Sequence, residues 1–213
     1  MNSKTLVVIV CLAMSCMAMA AILPEESDAA TSISPEQFLA LDDDNDGVIS
    51  LQDDYVLTSY VSITKNLTVE MNGHTLSSPV DVFRMDTVAG LTLTIHGDSE
   101  RQSTLTGGET RFVVCNNYKS GSLYIDGVTM NSGYPILWYG STEKIDDTIE
   151  ISNCTIRGIE AGAWISNRTI EHVTITGSDI SGNIGLFLGT VVNSFIKDCN
   201  IHGVYTGIHI KSG

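Results

Sequence analysis

The sequence predicts an all-β chain, a right-handed parallel β-helix (solenoid) of about six coils, preceded by a short N-terminal helix and truncated at its C-terminal end. Three observations predict it: an aliphatic residue that recurs once per coil, a turn-forming residue at a fixed offset after it, and a second alternating strand later in each repeat. Met71, Ile95, Ile125, Ile151, Ile175 and Ile196 are the recurring residues, at steps of 24, 30, 26, 24 and 21.

Two residues after these anchors stand Gly73, Gly97, Gly127, Asn153, Gly177 and Asp198, all residue types that tolerate a positive φ. An aliphatic side chain then returns as Leu76, Met130, Ile156, Ile180 and Ile201. The second coil carries an insertion, Asp98 to Ser103, before Leu105, and a solenoid accepts such an insertion by looping it out. The second strand is marked by the pairs Phe83/Met85, Phe112/Val114, Ile136/Trp138, Ala163/Ile165, Leu186/Leu188 and Ile208/Ile210, each pair read as inward-facing. No amphipathic helix fits between strands this short, which excludes a doubly wound α/β sheet. An antiparallel sandwich would not demand the same turn residue at the same offset in every repeat.

Ahead of the repeats, Lys4, the apolar run Leu6–Leu12 and the small residues Ala18-Met-Ala-Ala read as a cleaved signal peptide over 1–20. Ser15-Cys16 offers a less regular route to a lipid anchor, with Ala13 standing where leucine is usual. A linker over 21–33, a helix plus acidic loop over 34–53 and the β-helix over 47–213 complete the expected organisation. No segment reaches the ~18 apolar residues a membrane-spanning helix needs. The chain carries 25 acidic and 11 basic residues, a net charge of −14, and no Lys/Arg cluster. Nucleic acid and anionic membrane surfaces, which need a basic footprint, are thereby excluded as partners. Beyond the signal, Cys115, Cys154 and Cys199 are odd in number and lack a C-x-x-C pair, so they read as small buried residues. Asn66, Asn153 and Asn167 head glycosylation sequons.

The stretch Gly47 to Leu76, with Val48-Ile-Ser-Leu, Val61-Ser-Ile-Thr-Lys-Asn-Leu-Thr-Val and Met71-Asn-Gly-His-Thr-Leu, resembles the first coils of secreted members of the pectin-lyase-like superfamily. The resemblance covers about four-fifths of the chain and implies the fold without fixing an activity. Members with polygalacturonase-like chemistry use paired Asp residues and a basic strand. Asp146-Asp147 and Gly207-Ile-His-Ile-Lys211 resemble these elements faintly, with His209 in place of arginine. The alternative to a binding protein is therefore a polysaccharide-active enzyme, polygalacturonase- or pectate-lyase-like, with degenerate catalytic residues or with residues beyond this chain.

Two candidate sites stand apart from that resemblance. Asp42, Asp44, Asp46, Ser50 and Asp53 occupy positions 1, 3, 5, 9 and 12 of a loop with Gly47 at position 6, the oxygen-ligand spacing of an EF-hand-type calcium loop. Asp54 and the strand-like run Tyr55 to Thr64 depart from that pattern, so the loop reads either as a structural calcium site or as a solvated acidic turn leading into the first coil. On the second strand, the residues between the inward pairs point outward and stack as Arg84, Val113, Leu137, Trp164, Phe187 and His209. Exposed apolar ladders mark interaction surfaces. Leu137, Trp164, Phe187 and His209 are thus the expected contact for a glycan or a surface protein, in an adhesin-like extracellular role. The chain stops at Ile208-His-Ile-Lys-Ser-Gly213 just after a core strand, so further coils of the same chain or another subunit are expected there.

Overall fold

The computed structural model describes residues 29–85, 88–107, 111–115, 121–139, 145–166 and 170–211. The expected signal peptide, and the linker up to residue 28, lie outside the described residues. The chain is a parallel β-solenoid of about six turns with three faces. The strands are numbered here in chain order. The first face stacks β2 (Val48–Ser50), β5 (Leu67–Glu70), β8 (Leu91–His96), β11 (Gly121–Asp126), β14 (Ile145–Ser152), β17 (Ile170–Thr176) and β19 (Ser194–Lys197). The second stacks β1 (Thr31–Ile33), β3 (Tyr55–Leu57), β6 (Thr75–Ser78), β9 (Ser103–Gly107), β12 (Val128–Ser132) and β15 (Thr155–Gly158). The third stacks β4 (Val61–Ser62), β7 (Phe83–Arg84), β10 (Arg111–Cys115), β13 (Tyr134–Tyr139) and β16 (Ala161–Ser166). In the last two coils the corner between these two faces straightens, and β18 (Asp179–Leu188) and β20 (Asn200–Ile210) run through both.

Each face contributes rows of buried side chains that lie one over another. Ile95, Ile125, Ile151, Ile175 and Ile196 are in register, as the sequence predicts, and so are Leu76, Leu105, Met130, Ile156, Ile180 and Ile201. Two positions differ from the expected register. In the first coil Val69, not Met71, pairs with Ile95, and Ile49 continues the row below it. Met71 is buried just beyond the strand, and a wider turn follows through Asn72 and Gly73, at φ 50° and 79°. In β10 the register pairs Val113 with Phe83 and Ile136, and Val114 with Arg84 and Leu137, one residue off the expected register. Phe112 to Cys115 is apolar throughout, and a run without alternation cannot fix which residue faces the interior.

The turn residues divide by mechanism. Gly127, Asn153, Gly177 and Asp198 have φ of 67°, 53°, 56° and 55°, as a left-handed corner requires. Gly97 does not; there a Cβ would overlap the carbonyl oxygen of Gly127 on the next coil, so close backbone approach demands the glycine. Just past these corners, Cys154 Sγ, Ser178 Oγ and Cys199 Sγ each donate to the carbonyl two residues back. The two thiols are free, and burial pushes that of Cys154 up to about 11, so it stays protonated and serves as a small interior residue.

The first coil is capped. Thr31–Ile33, expected as the end of a linker, pairs in parallel with β3, and α1 (Pro35–Leu39) follows it. Ser34 and Gln37 form a capping box, with Gln37 N donating to Ser34 Oγ and Ser34 N donating to Gln37 Oε1. Phe38 is buried against Phe83, its ring centroid 6.1 Å away, closing the end of the interior. The last described coil is open by contrast, with Phe195, Val204, Tyr205, Ile208 and Ile210 exposed.

Ile151→Ala removes a fully enclosed link of the longest row and lowers stability by about 2–5 kcal/mol. Gly97→Ala forces adjacent coils apart and lowers it by about 3 kcal/mol or more. Urea unfolding measures both, and an unchanged midpoint in either variant would show that the row or the corner is not under that constraint.

Candidate functional site

The outward row on the third face runs Ser62, Arg84, Leu137, Trp164, Phe187 and His209, with the backbone of Val114 in register between Arg84 and Leu137. All four expected ligand-binding residues fall in it. Parallel register places one ring above the next: Trp164 and Phe187 stack with centroids 4.0 Å apart and planes 2° apart, and Phe187 and His209 at 4.8 Å and 14°. The faces of these rings are therefore spent on each other. Phe187 is only 7% exposed and Leu137 8%, so they are mainly structural members of the column. Arg84 is likewise committed, its Nε donating to Asp81 Oδ2 at 2.7 Å and its guanidinium lying 3.8 Å from the Tyr60 ring centre.

Beside the column, among the described residues, lies a shallow groove of about 300 Å³ lined by Tyr134, Leu137, Tyr139 and Trp164, and His209 at the last coil is also exposed. Tyr134 meets Trp164 edge-on at 6.2 Å, and Tyr139 is 51% exposed. Sequence reasoning singled out neither tyrosine. Tyr139 was detectable, because it stands two residues after Leu137 on the same face of β13, whereas Tyr134 at the start of the strand gave no such signal. An aromatic groove with phenolic hydroxyls at its rim can bind a ligand with apolar faces and hydroxyl edges.

Of the residues behind the faint catalytic resemblance, Asp147, His209 and Lys211 lie apart. Asp147 is buried inside the first-face coil, where it accepts hydrogen bonds from Trp138 Nε1 and Gly121 N, both at 2.8 Å. His209 and Lys211 belong to the third face at the last coil, so they and Asp147 share no site. A further shallow groove of about 260 Å³ on the first face is lined by His96, Tyr124, Asp126 and Glu150 among others. Asp126 Oδ1 there accepts from Ser152 Oγ and Asn153 Nδ2, a tie between neighbouring coils.

The acidic loop joins α1 to β2. Asp42, Asp44 and Asp46 each place a carboxylate oxygen within 4.8 Å of the others. Ser50 and Asp53, expected as later ligands, do not join them among the described residues. Ser50 lies on β2 and accepts a hydrogen bond from Asn72 Nδ2 at 2.8 Å. After β2 the chain runs on into β3, where an EF-hand would begin the exit helix that carries position 12 to the ion. Lys65 Nζ reaches the loop, donating to Asp42 Oδ2 and to Asn45 Oδ1, both at 2.7 Å. That ammonium, chiefly by its hydrogen bond, holds the Asp42 carboxyl below the usual carboxylate range, aided by the backbone N–H of Gly47.

Comparison with family models, with curated proteins and with solved structures finds no match to this chain. Among the described residues no helix is long and apolar enough to cross a membrane.

Because the Asp42 pKa is lowered on folding, its contribution to stability is present above the unfolded value of about 4 and is lost as pH falls through the lower folded value. Lys65→Met removes the main cause. In chelator-containing buffer the variant should be less stable than the parent at neutral pH, with a gap that closes below about pH 4. Denaturant midpoints across pH 2–7 check this, and a gap that is constant with pH would show that the pair is not its source.

Proposed function

We propose that this chain is an exported β-solenoid of the pectin-lyase-like type that binds glycan without transforming it, through the groove of Tyr134, Leu137, Tyr139 and Trp164. The observation that carries the proposal is that groove, where an otherwise self-stacked aromatic column becomes accessible beside an exposed tyrosine. Sugars present C–H faces to aromatic rings and hydroxyls to polar edges, and the groove supplies both. The net charge of −14 repels acidic polysaccharide and favours a neutral glycan. Export is supported by Lys4, the apolar run Leu6–Leu12 and the small residues up to Ala21. Of the acidic pair behind the enzymatic alternative, Asp147 is committed to Trp138 and Gly121.

A microarray of neutral oligosaccharides, followed by calorimetry on the best ligand, tests the proposal. Tyr139→Ala and Trp164→Ala should each weaken binding about tenfold, ~1.4 kcal/mol, and His209→Ala, at the far end of the stack, should not. Binding that both groove variants leave intact would move the site elsewhere, and no binding to any neutral glycan would refute the ligand class.

A further inference from the structure

The acidic loop carries an observation that its charge alone would not. The Asp42 side chain is only 2% exposed, yet its Oδ1 is buried with no hydrogen-bond partner among the described residues. Its other oxygen is fully used, accepting from Lys65 Nζ and from Gly47 N at 3.1 Å. A buried carboxylate oxygen without a donor is expensive, and native structures supply it with a proton donor, a water or a cation. In the same loop, one carboxylate oxygen from each of Asp42, Asp44 and Asp46 lies within 4.8 Å of the other two.

The backbone holds them there. Asp46 N donates to Asp44 Oδ1 and Val48 N to Asp46 Oδ1, while Asn45 and Gly47 take φ of 59° and 87° to close the turn. The three clustered carboxylates exceed the ammonium of Lys65 by two negative charges. All the donors are oxygens, Asp44 and Asp46 are open to solvent, and their carriers sit on a turn instead of a rigid cage. Oxygen-only donors, solvent-filled remaining positions and a flexible shell match calcium better than magnesium or a transition metal.

We infer that Asp42, Asp44 and Asp46 form a calcium site built from only the first half of an EF-hand loop, with Lys65 as a permanent counter-charge beside it. Ser50 and Asp53 take no part. The ion completes the shell of Asp42 and ties the loop between α1 and β2 to the turn carrying Lys65, fastening the cap to the first coil. With three carboxylates and water as ligands, the affinity falls in the range of extracellular modules, with a dissociation constant on the order of 0.1–1 mM. This inference is independent of glycan binding, and either can fail without the other.

Calorimetric titration with calcium chloride, and thermal unfolding in calcium against chelator, test it on the full chain from residue 21 onward. Saturable binding should be seen, with a melting temperature raised by calcium and a smaller response to magnesium. Asp44→Asn and Asp46→Asn keep the turn's acceptors but remove ligand charge, and should weaken binding at least tenfold. Asp53→Asn and Ser50→Ala should bind as the parent does, and Lys65→Met should bind at least as tightly. Absence of calcium binding by the parent, or binding that survives both Asp44→Asn and Asp46→Asn, would overturn the site. Loss of binding in Asp53→Asn would restore the complete EF-hand set, and weaker binding in Lys65→Met would overturn the role given to the ammonium.

Discussion

A single condition governs this molecule: residues one coil apart must lie directly above one another. Parallel pairing places neighbouring strands about 4.8 Å apart, so an inward isoleucine touches the isoleucine of the coil below and the coil above. The row from Ile49 through Val69 to Ile196 is that condition made visible, and the turns exist to preserve it. Corners of left-handed backbone at Gly127, Asn153, Gly177 and Asp198 return each coil to phase, and side-chain ties such as Asp126 to Ser152 and Asn153 pin neighbours together.

The same stacking creates the outer column. Once register is set inside, the outward residues are in register too, and whatever occupies them is forced into contact. Trp164, Phe187 and His209 therefore stack as a consequence of core geometry, without any requirement from a ligand. This separates two roles that a sequence pattern merges. Phe187 is enclosed between its neighbours, whereas Trp164 lies where the column meets Tyr134 and Tyr139 and opens to solvent.

How much was legible follows from how local each signal is. Isoleucine anchors and their turn residues repeat, so the solenoid and most of its register could be read directly. Register slipped where the pattern is degenerate: Leu67, Val69 and Met71 offer three equivalent anchors, and Phe112 to Cys115 has no polar residue to mark a face. The capped helix at Ser34 was legible because its box is contained in four residues. Strand β1 was not, since three residues pairing with Tyr55–Leu57 leave no periodic trace. In the acidic loop the spacing of Asp42, Asp44 and Asp46 survived, and the strand-like run from Tyr55 already marked the missing exit helix, whereas the tie between Ser50 and Asn72 of the next coil left no local trace. The bond from Lys65 to Asp42 spans one coil and could be found only in three dimensions.

The bond between Asp147 and the Trp138 indole gives the molecule two distinct optical reporters. The chain has only two tryptophans. Trp138 is enclosed, its nitrogen fixed by a buried carboxylate, while Trp164 is partly exposed on the outer wall with its ring against Phe187. Emission from the first follows the integrity of the interior; emission from the second follows events on the wall. A spectroscopist replacing one or the other could therefore watch the column come apart and the groove fill as separate signals, without attaching any foreign dye.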